Sequence, residues 1–124
     1  MATIVRPLVR ELMKRLSERQ SPLQIVVGPR QVGKTTAVQQ VMDGWQGITH
    51  YASADLPFVP DPFWIQSHWE IARRHAHENK KKTLLVLDEI QKVSRWAEMV
   101  KSLSEEDRRK GLSLKVVLLG SSAL

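Results

Sequence analysis

The chain has 124 residues, 42% of them hydrophobic and 26% charged, the balance of one ordinary globular domain. It has no cysteine, which excludes a disulfide framework and a thiolate metal centre and fits a reducing compartment, and no apolar stretch near the roughly 18 residues that span a bilayer. The net charge of +6, from 19 Lys+Arg against 13 Asp+Glu, permits a nucleic-acid or acidic protein partner, or a polyanionic ligand, without demanding one.

From Thr3 to Arg19, Ile4, Leu8, Leu12 and Leu16 recur at helical spacing opposite Arg6, Arg10, Glu11, Lys14 and Arg15, which predicts an amphipathic helix over 3–20. The same charges interrupt any signal-peptide core, so a cytoplasmic location without membrane contact is expected. Ser21-Pro22 ends the helix, and Leu23 to Val27 is a run of buried-strand type that stops at Gly28. Lys34 to Met42 reads as a helix closed by Asp43-Gly44, and Ile48 to Ser53 as a second strand. After a loop over 55–60, Asp61-Pro62 supplies an N-cap and a first-turn proline for a helix with Ile65, Trp69, Ala72 and Ala76 along one side. Thr83 to Leu87 is the most apolar strand. A helix from near Ser94 then carries Trp96, Met99, Val100 and Leu103 on one face as far as Gly111, and Leu114 to Leu119 is the last strand. This alternation predicts an α/β fold, a three-layer α/β/α domain around a mainly parallel sheet.

Gly28-Pro29-Arg30-Gln31-Val32-Gly33-Lys34-Thr35 fits the phosphate-loop pattern GxxxxGK[ST] at every fixed position. The glycines let the backbone curl until successive N–H groups face phosphate oxygens, and the helix opening at Lys34 adds its positive dipole end. Lys34 would reach the β- and γ-phosphates of ATP and the Thr35 hydroxyl would ligate Mg²⁺. Arg30, Gln31 and Thr36 complete the candidate phosphate contacts, although Arg30 and Gln31 read equally well as solvated loop residues. An apolar strand before the pattern and a helix after it set it apart from a chance match.

The strand at 84–89 ends in two carboxylates, at the edge of an open α/β sheet where ligands bind. Asp88 would hold the Mg²⁺, directly or through water, and Glu89 would take a proton from the attacking water. The plain alternative is an acidic cap on the next helix. Residues 118–122, Leu-Leu-Gly-Ser-Ser, form another strand end, where a hydroxyl could sense the γ-phosphate. Ser121 is favoured over Ser122 because it lies nearer the strand, and a simple turn is the competing reading. Trp45, Trp64, Trp69 and Trp96 could be a base-stacking set, but core packing explains Trp69 and Trp96 better. His68, His75 and His77 lack a supporting Cys or carboxylate cluster, so a solvated surface is expected. The basic runs at 80–82 and 108–110 read as caps on helix C-termini.

The strings Val27–Thr36, Leu87-Asp-Glu-Ile-Gln91 and Leu119–Ser122 together resemble a group of prokaryotic AAA+-type ATP-binding proteins, in which the ATPase core is usually joined to a C-terminal nuclease-like domain. The likeness runs over nearly the whole chain, including the strand-Asp pattern at Tyr51–Asp55 and the tryptophan at Trp96. It implies ATP and Mg²⁺, the Walker A lysine at Lys34, Walker B residues Asp88 and Glu89, a sensor-1-like hydroxyl at Ser121 or Ser122, and a sheet order 5-1-4-3-2. It also implies that the chain stops after the fourth strand, before a fifth strand and a helical lid, so that 1–124 would be part of an ATPase domain and prone to self-association. The corresponding function is an ATPase core that drives conformational change on a protein or nucleic acid. The rivals are a nucleotide-binding or interaction fragment without turnover, and a P-loop kinase or GTPase, against which stand the Asp-Glu pair and the lack of an [NT]KxD motif.

Overall fold

Every residue of Thr83–Asp88 is buried, as a continuous apolar run in a parallel sheet requires, and the sheet is organised around it. The computed structural model describes residues 2–17, 23–28, 34–79 and 82–121. The elements alternate as α1 (Ala2–Ser17), β1 (Leu23–Gly28), α2 (Lys34–Asp43), β2 (Ile48–Ser53), α3 (Pro62–Asn79), β3 (Thr83–Asp88), a 3₁₀ turn (Ile90–Lys92), α4 (Trp96–Lys110) and β4 (Leu114–Ser121). The four strands lie in the order β1-β4-β3-β2, and all three pairings are parallel. Over these strands the order is the one the resemblance implies.

Alternation along the strands sorts the core into two layers. Leu84 and Val86 of β3 and Val117 and Leu119 of β4 pack with Leu12 and Leu16 of α1 and with Val38 and Val41 of α2. Leu85, Leu87, Val116 and Leu118 point the other way, against Ile65, Trp69 and Ala72 of α3 and Val100 and Leu103 of α4. The predicted faces of α3 and α4 are therefore the buried ones, and Trp69 and Trp96 belong to the core. On the outer side of that layer, Arg73 bonds Asp107 at 2.7 Å and the Leu103 carbonyl at 3.0 Å, while the Trp69 indole donates to Asp107 at 2.8 Å. Burial pushes the Asp107 carboxyl up, against the pull of Trp69 and Arg73.

Local signals account for the ends. Asp61 accepts from the Phe63 N–H at 2.9 Å, the N-cap bond expected for α3. At the end of α4, Gly111 adopts φ 66°, and the Gly111 and Leu112 amides return to Arg108 and Asp107, closing the helix in a Schellman turn. The expected end of α1 at 18–20 lies outside the described residues. Elsewhere the boundaries shift: the strand expected over 84–89 is Thr83–Asp88, with Glu89 past its end in a left-handed turn. The 3₁₀ turn comes between β3 and α4, so α4 begins at Trp96 rather than near Ser94. The β4 strand continues through Gly120 and Ser121, because its pairing with β1 runs on to Gly28. No helix among the described residues is long and apolar enough to cross a membrane.

Candidate functional site

Parallel strands deliver their C-terminal ends to one edge, and the register decides which residues meet there. Gly28 at the end of β1 is the partner of Ser121, and Ser53 at the end of β2 is the partner of Asp88. Asp88 follows Leu84 and Val86 at a spacing of two, and Ser121 follows Val117 and Leu119, so both lie on the α1/α2 side of the sheet. The α2 helix begins at Lys34 on that same side. The N-terminus of α2, the Asp88 carboxyl and the Ser121 hydroxyl therefore share one face and one edge. Pro29, Arg30, Gln31, Val32 and Gly33 lie outside the described residues, as do Ser122 and the side chains of Lys34 and Thr35. Thr36 is exposed in the first turn of α2.

Asp88 is 8% exposed, and both carboxyl oxygens carry a donor. The Glu89 N–H bonds Oδ1 at 2.8 Å, and the Tyr51 hydroxyl bonds Oδ2 at 2.6 Å. Burial, followed by the Asp88 hydrogen bond and charge, raises the Tyr51 phenol well above its ordinary value. It therefore stays protonated and remains a donor. Tyr51 reaches Asp88 because it sits on the same face of β2 as Ser53, two residues from Asp88's partner. In the sequence it stands out only as part of the strand-Asp pattern, with no role of its own.

Glu89 adopts φ 55°, ψ 42°, the left-handed region that non-glycine residues seldom occupy and that recurs at functional sites. Its carboxylate accepts from Gln91 Nε2 at 2.7 Å and from Ser121 Oγ at 3.3 Å. Gln91 Oε1 in turn accepts from the Ser121 N–H at 3.1 Å. In the sequence Gln91 is simply the last residue of the Leu-Asp-Glu-Ile-Gln string, and no local signal gives it a task. Nearby, Lys92 pairs with Asp55 at 2.6 Å and the Ser94 N–H bonds the Pro60 carbonyl at 3.3 Å. Both contacts tie the β2–α3 loop to the segment after β3.

Two other features lie away from this edge. A cleft of about 560 Å³ opens where β1 and β4 begin, bordered by Leu23, Trp69, Ser104 and Leu114, a strand length from Asp88. On the α3 side of β2, His50 Nε2 and His68 Nδ1 stand 2.9 Å apart, and the Trp64 and His68 rings meet in a T-shaped contact with centroids 4.7 Å apart. His68 is thus half-buried in a pair, not a solvated surface residue, because β2 brings His50 to it. No group of three or more metal-ligating side chains occurs among the described residues.

Residues 20–124 match the protein family described as AAA domain. No curated protein matches the chain. Its fold is similar to that of Cdc6p from Pyrobaculum aerophilum, with a TM-score of 0.68 and 17% identity over 94% of this chain and 38% of that one. It is also similar to PCH-2 from C. elegans, with a TM-score of 0.59 and 15% identity over 98% of this chain and 36% of that one. The chain thus spans less than two-fifths of the length of either structure.

Proposed function

This chain belongs to the AAA domain family, with the nucleotide-binding core of AAA+ ATPases as its fold, and from that starting point we propose that it binds Mg-ATP through Gly28–Thr36 and hydrolyses it within the intact protein. The observation that carries the reading is the register at the sheet edge. Gly28 is set beside Ser121, and Asp88 stands on the same face as the N-terminus of α2. A phosphate held by the loop backbone and the α2 dipole would lie between them.

The residue types fit the ligand. Asp88 and the Thr35 hydroxyl are hard oxygen donors of the kind Mg²⁺ takes alongside phosphate oxygens and water. Bound there, the ion would neutralise charge on the phosphates. Lys34 would hold the β- and γ-phosphates, Glu89 would orient a water and accept its proton, and Ser121 would report on the γ-phosphate from the end of β4. The conformational change would act on a protein or nucleic-acid partner, a role to which the net charge of +6 is suited.

The test is calorimetric titration of ATP with and without Mg²⁺. Wild-type protein should bind ATP more tightly with Mg²⁺ present, and Lys34→Ala should abolish binding. Equal affinity in Lys34→Ala would sink the assignment.

A further inference from the structure

We infer that Gln91 is a positioning residue for Glu89, fixing the direction of the carboxylate through a hydrogen-bonded ring closed on the end of β4. The inference deepens the ATPase reading of this edge and rests on it.

The ring has three sides. Gln91 Nε2 donates to Glu89 Oε1 at 2.7 Å, Gln91 Oε1 accepts from the Ser121 N–H at 3.1 Å, and Ser121 Oγ donates to Glu89 Oε2 at 3.3 Å. The two ends of the amide are not interchangeable. A flipped Gln91 would set its NH₂ against the Ser121 N–H and its oxygen against a carboxylate, losing both bonds. One side chain thus reads a donor on β4 and an acceptor after β3 at the same time. Gln91 is itself exposed, so apolar burial does not explain its conformation.

The consequence for Glu89 is a two-point hold. Its backbone is pinned where the N–H meets Asp88 Oδ1, and its carboxylate is held through both oxygens. A glutamate otherwise keeps much rotamer freedom, and a general base acts only within hydrogen-bond reach of its proton. The hold also has a direction, because Ser121 is the register partner of Gly28, the first residue of the phosphate loop. Gln91 therefore turns the Glu89 carboxylate towards the strand that carries that loop.

The experiment uses the full-length protein and the variant Gln91→Met, which keeps the length and removes both hydrogen bonds. Affinity for ADP should stay within about twofold of wild type, whereas the complex with Mg-ADP and aluminium fluoride, which mimics the transferring phosphoryl group, should weaken roughly tenfold. The kcat for ATP should fall by a similar factor with KM unchanged. In a Glu89→Gln background Gln91→Met should add nothing, because no base is left to position. Gln91→Asn, too short to span both partners, should reproduce the loss, and both variants should melt like wild type. Wild-type affinity for the aluminium fluoride complex in Gln91→Met, or the same loss in the Glu89→Gln background, overturns the inference. ADP binding that survives Lys34→Ala overturns the site reading beneath it. A Lys34-dependent site with a silent Gln91→Met overturns the role of Gln91 alone. Wild-type protein that takes up ADP but no aluminium fluoride complex overturns both the hydrolytic role and its positioning.

Discussion

Glu89 and Asp88 are neighbours in sequence with opposite surroundings. Asp88 is buried beneath the Tyr51 hydroxyl, whereas Glu89 turns into the left-handed region and reaches across to β4. Glu89→Gln preserves shape and hydrogen bonding while removing the proposed base, so ATP binding should persist and turnover should drop by roughly 10²-fold. Single-turnover kinetics checks this, and normal turnover would assign the base elsewhere. The His50–His68 pair makes a separate forecast. Burial, and then the like charge of His75 on His50 and of His50 on His68, lowers both pKa values below their ordinary 6.5. As pH falls below that value the unfolded chain takes up protons first, so the stability of the fold declines. Two imidazolium rings would also face each other donor to donor, with their bond lost. The Tm should therefore fall between pH 7 and pH 5, and less so in a His50→Gln/His68→Gln variant. Equal falls in a calorimetric scan would remove the pair as the source.

Two glycines show why an element boundary has to be read in three dimensions. Gly111 closes α4 at φ 66°, and a Cβ added there would meet no atom within 4 Å. Gly111→Ala therefore meets only the conformational penalty of the left-handed region, about 1 kcal/mol. Gly47 precedes β2 outside that region, but an added Cβ would lie 2.0 Å from the Lys82 carbonyl oxygen. That carbonyl also accepts from the Ile48 N–H and the Trp45 indole. Gly47→Ala must therefore displace the start of β2 and should cost more than Gly111→Ala. Urea denaturation of the two variants ranks them, and the reverse order would show that the turn at Gly47 yields easily.

Across the whole sheet, β1 and β2 are the outer strands among the described residues, but they are built differently. β2 alternates in burial as a strand at a sheet margin does, whereas β1 is apolar at Leu23 and Ile25–Val27 around a buried Gln24 and leaves Ile25 50% exposed. An apolar strand with one neighbour pairs readily with other chains. The 124-residue chain should accordingly self-associate through β1, giving a concentration-dependent mass in light scattering. A monomer whose outward-facing β1 amides exchange slowly would show that the edge is already covered.

The phosphate-loop pattern, the Asp-Glu pair and the strand–helix alternation are legible in the sequence because each is a local signal. A glycine at a fixed spacing, an apolar run of a given period, or a capping aspartate depends on the residues beside it. Sorting Leu84 and Val86 from Leu85 and Leu87 likewise needs only the period of a strand. Tyr51 on Asp88, Gln91 between Glu89 and Ser121, and His50 on His68 are not legible there, since each bond joins groups on different elements. Register decides such pairings, and a slip of one residue would turn Tyr51 away from Asp88 and Ser121 away from the α2 side. Local sequence thus settles which residue types stand at the C-terminal edge of the sheet. Which of those groups touch is settled by the assembled fold, because strand order and register are set by packing both faces of β3 at once.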